Sequence, residues 1–165
     1  MGVRIITDSA SDFEAAVAKR RKIDIIPMTI QFGSAAFLAG KTLSNNVFYQ
    51  LLQEGRENPS TSQPAPAAFL QLFEEARRDG DQVVVILLSG VLSGTMQSAM
   101  IAKGMCGYEP IYIVDSVTAT AGIQILVNLA CKLRDSGLPA AAIARELEAL
   151  KGKIRIFAVV DTLEY

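Results

Sequence analysis

The sequence predicts an α/β fold, a mostly parallel sheet flanked by helices, and three observations carry that prediction. Short apolar runs rich in β-branched residues alternate with stretches of helical period along the chain, the rhythm of βαβ units. The run Val83–Leu88, V-V-V-I-L-L, holds no charge, as expected of a strand covered on both faces. Polar residues gather where such runs stop, at Asp8-Ser9, at Ser89 through Thr95 and at Asp115-Ser116. One edge of the sheet should therefore collect them, and in open α/β sheets that edge is where ligands bind.

Val3–Thr7 reads as the first strand, closed by Asp8-Ser9-Ala10-Ser11-Asp12. Ser11 followed by Glu14 has the form of a capping box, which would open a helix over Phe13–Arg20. Ile23–Phe32 reads as a second strand, placed at an edge or a bulge by Pro27. The loop Gly33–Thr42 is mostly apolar, with Phe37 and Leu38. Loops ordinarily lie in water, so it either packs under another element or lines an apolar ligand. Ser44 suits the N-cap of a helix through Glu54, with Val47, Phe48, Leu51 and Leu52 on one side.

The loop Gly55–Ala65 carries Ser60, Thr61 and Ser62 ahead of Gln63-Pro64. On spacing alone these hydroxyls suit a helix cap as well as a ligand. The next helix spans Ala65–Arg78, with prolines in its first turn and Phe69, Leu70, Phe73 and Ala76 as its buried stripe. After the strand at Val83, a helix over Thr95–Lys103 and a strand over Pro110–Val114 follow. Then come a helix over Thr118–Arg134, with Ile123, Leu126, Val127, Ala130 and Leu133 inward, and a short helix over Pro139–Leu150 with Ile143, Leu147 and Leu150 inward. Ile154–Val160 reads as the last strand. Cys131, beside an apolar stripe, reads as an inert core residue.

Composition excludes several classes. The 165 residues suffice for one domain with its own core. No apolar run reaches the roughly 18 residues of a membrane span, and the opening V-R-I-I-T lacks a signal peptide's charged end and cleavage site. Sixteen basic residues against 17 acidic ones give no nucleic-acid surface. Two cysteines without C-x-x-C spacing point to a reducing, cytoplasmic compartment. With no histidine in the chain, Ser-His-Asp and Cys-His catalysis and the common histidine zinc sites are removed. No G-x-G-x-x-G follows the first strand and no lysine follows the glycines near Ser93, so neither the dinucleotide nor the P-loop motif is present. Neither a catalytic residue nor a cofactor nor a metal is expected.

The stretch Val83–Gln97 carries the most chemistry. A strand that breaks into Ser89, Gly90, Ser93, Gly94 and Thr95 and then opens a helix leaves free N–H groups directed at one spot. The helix dipole and the hydroxyls make that spot receptive to a small anion. Asp8 and Ser9 suit either function or turn chemistry. Two other classes stay open. Asp8, Asp115 and Asp161 at strand ends would suit magnesium in a phosphotransferase-like domain, and a purely structural α/β domain needs none of these groups.

Four motifs together resemble the DegV family: I-T-D-S-A-S-D at Ile6–Asp12, T-S-Q-P at Thr61–Pro64, L-S-G-T at Leu92–Thr95 and V-D-S at Val114–Ser116. The closing V-V-D-T-L-E-Y is also similar, so the resemblance covers essentially the whole chain. It implies a bacterial, non-catalytic protein that binds a long-chain fatty acid, and in some members hands it to a dihydroxyacetone-kinase-like fatty acid kinase. By the same resemblance Thr61 and Ser93 hold the carboxylate, with Ser62, Gly94 and Thr95 as neighbours. Asp8, Ser9, Asp115 and Ser116 remain secondary candidates.

Family members are longer, with a second α/β domain; the ligand lies in the cleft between the two, and the second half adds a basic side chain and a histidine. Residues 1–165 would then be the first domain of a DegV-like two-domain fold. On that expectation the chain is a fragment, an engineered first domain or a truncated gene product, and its uncovered apolar surface favours self-association. The chain departs from the family pattern at Ala39-Gly40, where relatives often have Asp-Gly, and at Ala10, where many have threonine. About 12 buried methylenes at ~0.8 kcal/mol each would give on the order of 10 kcal/mol before binding costs. Hydrogen bonds to the carboxylate would add roughly 1.5–3 kcal/mol each. The tail, walled by residues near Pro27–Leu38 and the core, should drive affinity while the hydroxyls set orientation.

Overall fold

Successive side chains of a strand point to opposite faces, and here the central strands are apolar on both. A computed structural model describes residues 2–55, 57–157 and 159. In chain order they form β1 (Val3–Asp8), α1 (Ala15–Arg21), β2 (Ile23–Ile26), β3 (Thr29–Phe32), β4 (Ala35–Leu38), α2 (Asn45–Gln53), β5 (Ser60–Ser62), α3 (Pro66–Asp79), β6 (Gln82–Leu87), α4 (Thr95–Cys106), β7 (Ile111–Asp115), α5 (Ala121–Asp135) and α6 (Ala140–Lys151). Four strands make a parallel sheet in the order β2-β1-β6-β7. The other three form a small antiparallel sheet, β4-β3-β5.

Alternation sorts the main core into two layers. Ile5, Val84 and Ile86 face Ile123, Leu126 and Val127 of α5 and Ile143 and Leu147 of α6. Ile6, Val83, Val85 and Leu87 face Phe69 and Phe73 of α3 and Ala99 and Ala102 of α4. β6 lies between β1 and β7, so Val83 through Leu87 are wholly buried, which explains the uncharged run. Pro66 starts α3 and Gly80, in the left-handed region, ends it. The Ser44 hydroxyl caps α2 by accepting from Val47 N–H at 3.4 Å.

Five local expectations are corrected. Ser11 does not cap α1. It lies in a short 3-10 turn, donates to the Asp8 carbonyl at 2.7 Å, and leaves the α1 N-cap position to Glu14 without a side-chain bond. Residues 23–32 are two strands in two sheets, divided at Pro27-Met28, because proline has no N–H to continue a ladder. The apolar loop 33–42 contains β4, which pairs with β3. Helix α5 starts at Ala121 rather than at 118, because residues 116–120 form a loop with Val117 and Thr120 at positive φ. Residues 154–157 form no strand; of the remainder of that expected strand, 158 and 160 lie outside the described residues. No helix among the described residues is long and apolar enough to cross a membrane.

Candidate ligand-binding site

The parallel strands end at one edge, and their terminal polar residues tie that edge together. Buried Asp8 accepts from Leu88 N–H at 2.8 Å and from Ala10 N–H at 2.9 Å. The Ser9 hydroxyl accepts from Met28 N–H at 3.0 Å. Asp115 accepts from Gly90 N–H at 3.2 Å and from Val117 N–H at 2.9 Å. The buried Ser116 hydroxyl donates to the Thr118 carbonyl at 3.1 Å. All four secondary candidates thus bond to neighbouring backbone. Among the described residues no three His, Cys, Asp or Glu side chains gather as a metal site, and Asp161 lies outside them.

Those bonds occupy the N–H groups at the strand's end, which the sequence places in an anion-receptive spot. The N–H groups of Leu88, Ser89 and Gly90 go to Asp8, the Thr118 carbonyl and Asp115. The first turn of α4, from Thr95, has no intrahelical acceptor for its N–H groups. Half-buried Ser93 stands at that turn; its hydroxyl lies 2.8 Å from that of buried Thr95 and 3.3 Å from Thr95 N–H. Gly94 occupies the N-cap position. An open groove of about 450 Å³ runs past Ser93, Gly94, Met96 and Gln97 to Met100 and Ile101.

The three hydroxyls of the 55–65 loop are not caps. They form β5, with Thr61 opposite Ile30 and Ile30 opposite Phe37. Directly opposed residues share a face of the sheet, so Thr61 stands in one row with Ile30 and Phe37. Ser62 lies on the other face, opposite Thr29. The face of Thr61 extends to Phe32, whose ring meets Phe48 of α2 edge-on at 5.7 Å. Ser60, Thr61 and Ser62 are all exposed.

Gln63, which sequence reasoning missed, joins the two hydroxyl clusters. Its carboxamide lies against Gly94, and its Nε2 donates to the buried Ser98 hydroxyl at 3.5 Å. The signal lay in the Gln-Pro step after the hydroxyls, whose side-chain reach no local pattern reveals. A Cβ on Gly94 would collide with that carboxamide. Gly94 has φ −76°, so alanine fits the backbone and only the Gln63 contact is displaced. Gly94→Ala is therefore expected to change stability by less than about 1 kcal/mol while separating β5 from the start of α4. Thermal melts and the loss of the Gln63–Ser98 contact by NMR check this; an unmoved Gln63 resonance contradicts it.

Burial pushes the Asp8 carboxyl above the ordinary aspartate value of 3.8, against the pull of the Leu88 and Ala10 N–H groups. A carboxyl raised in the folded state stabilises below its unfolded value, and that contribution is lost as pH rises through the folded value. The stability of the native chain relative to Asp8→Asn should therefore fall as pH rises above the ordinary aspartate value of 3.8. Urea melts of both proteins measure it, and a difference that stays flat or rises with pH would refute the assignment.

These features define an open α/β domain whose main sheet is parallel, with hydroxyls and a helix start beyond the carboxyl ends of its strands. The chain belongs to the DegV family: the family model, described as uncharacterised protein, DegV family, matches residues 2–165. A DegV domain-containing protein of Caldanaerobacter subterraneus subsp. tengcongensis is 33% identical over 163 residues, which cover 99% of this chain and 58% of that protein. A structure reporting fatty acid binding of a DegV family protein from Thermus thermophilus matches with TM-score 0.83 at 30% identity, over 92% of this chain and 54% of that one. DegV from Bacillus subtilis, described as a fatty acid binding protein, matches with TM-score 0.84 at 28% identity, over 92% and 54% of the two chains. The chain thus spans little more than half the length of these relatives.

Proposed function

We propose that this chain binds a long-chain fatty acid, with its carboxylate at Ser93 and Thr61 and its tail against the apolar row beside Thr61. One observation carries the reading: Thr61 shares a face with Ile30 and Phe37. An ionised carboxylate only accepts hydrogen bonds, so the Ser93 and Thr61 hydroxyls and the N–H groups at the start of α4 are suitable partners. Thr95 and Gly94 shape that start, and Ser62, next to Thr61 in sequence, lies on the opposite face of the small sheet. The fatty acid binding of the Thermus and Bacillus relatives supports the same ligand class.

Presentation of the bound acid to a dihydroxyacetone-kinase-like fatty acid kinase in the cytoplasm is the finer part of the proposal. Two free, buried cysteines suit that compartment. Exposed Val91, Leu92 and Val117 at the same edge favour self-association, which sedimentation velocity reads directly. Native mass spectrometry of the chain purified from its host tests the ligand. A co-purified fatty acid supports the reading, whereas a nucleotide or magnesium in its place supports the phosphotransferase alternative and overturns it.

A further inference from the structure

We propose that Asp115 is a positioning residue, holding the turn that presents Ser93; the inference rests on the fatty-acid reading above. A carboxylate has no proton to donate to a second carboxylate, so Asp115 acts through backbone. Both of its oxygens lie near Gly90 N–H, at 3.2 and 3.3 Å. A Cβ on Gly90 would stand 3.0 Å from Asp115 Oδ2, so a side chain there would crowd the carboxylate and push it back from the turn. From Gly90 the turn closes on itself: Leu92 and Ser93 N–H both donate to the Ser89 carbonyl, at 2.9 and 3.1 Å. The position of the Ser93 hydroxyl therefore follows from that of Ser89-Gly90.

The same carboxylate secures the other side of the edge. It accepts from Val117 N–H at 2.9 Å, with Val117 held at φ 54°. A β-branched residue is rare in that region and is retained only where its surroundings impose it. Three further bonds impose it here. Ser89 N–H donates to the Thr118 carbonyl at 3.0 Å, Thr120 N–H donates to the Ala10 carbonyl at 3.1 Å, and Thr118 N–H donates to the Ser116 hydroxyl at 3.3 Å. The loop 116–120 thus clasps the ends of β1 and β6 together, and Asp115 is where the clasp meets the Ser93 turn. A hydroxyl fixed in this way receives a carboxylate without first being ordered, which lowers the cost of binding.

The experiment compares the native chain with Asp115→Ala, Asp115→Asn and Val117→Gly. It measures dissociation constants for palmitate and for hexadecanol, and amide hydrogen exchange by NMR. Asp115→Ala is expected to lower the preference for palmitate over hexadecanol at least about fivefold, with hexadecanol affinity within about twofold of native. Asp115→Asn, which keeps one acceptor oxygen, should recover part of the preference. The amides of Gly90 and Ser93 should exchange at least about tenfold faster in Asp115→Ala, while those of Val84–Ile86 are unchanged. Val117→Gly relieves the left-handed strain, so it should raise the melting temperature and leave the preference intact. An unchanged preference with unchanged Ser93 exchange overturns the proposal, as does equal weakening of both ligands. A native chain that binds palmitate no better than hexadecanol overturns the underlying head-group reading instead, and the exchange measurement then decides the role of Asp115 alone.

Discussion

A chain carrying both Thr61→Val and Ser93→Ala is expected to bind palmitate about 2–6 kcal/mol more weakly than the native chain, from about 1–3 kcal/mol for each lost donor. Valine keeps the shape of threonine, so the row with Ile30 and Phe37 stays filled. Thr61 is exposed, and its replacement should leave folding untouched. Ser93→Ala has a small structural cost, because the buried Thr95 hydroxyl loses its partner at 2.8 Å; about 1 kcal/mol of stability should go with it. Isothermal titration with palmitate and with hexadecanol separates head from tail. Palmitate affinity equal to native would mean that these two hydroxyls do not receive the carboxylate.

Phe73→Ala should have the largest effect on folding, a loss of about 3–5 kcal/mol. Phe73 has no exposed surface and packs on Phe69 with ring centroids 6.1 Å apart. Both rings fill the layer between α3, α4 and the parallel sheet, and small side chains such as Ala99 and Ala102 cannot close the cavity. A domain has only about 5–15 kcal/mol of total stability, so the variant should sit near the unfolding threshold at room temperature. An unfolding free energy from urea melts within about 1 kcal/mol of native would show that the two layers repack more freely than their burial implies.

Six helices were legible, and for α3, α5 and α6 the inward stripe as well, because helical periodicity is written in consecutive residues. The stripes of Phe69, Phe73 and Ala76 and of Ile123, Leu126, Val127 and Ala130 are buried as their spacing predicts. The start of α4 at Thr95 and the gathering of Asp8, Ser89 and Asp115 at one edge were legible for a related reason: a strand's end and its following turn are contiguous. The Ser11-Glu14 pair misled because a capping box is also what a 3-10 turn followed by an unrelated helix looks like in one dimension.

The sequence by itself determined the class of fold, the two apolar faces of its central strand, and the residue types able to receive a carboxylate. Only the tertiary structure decided which of them meet. β5 has no alternation of its own and exists because β3 lies beside it, some thirty residues earlier in register with Thr61 opposite Ile30. That pairing puts Thr61 on the apolar face and Ser62 on the other, a difference invisible in S-T-S. The contact of Gln63 with Gly94, and the capture of the Leu88 and Gly90 N–H groups by Asp8 and Asp115, likewise join segments distant in the chain. Side-chain period is a local property, whereas strand pairing and backbone capture depend on what the rest of the fold brings alongside.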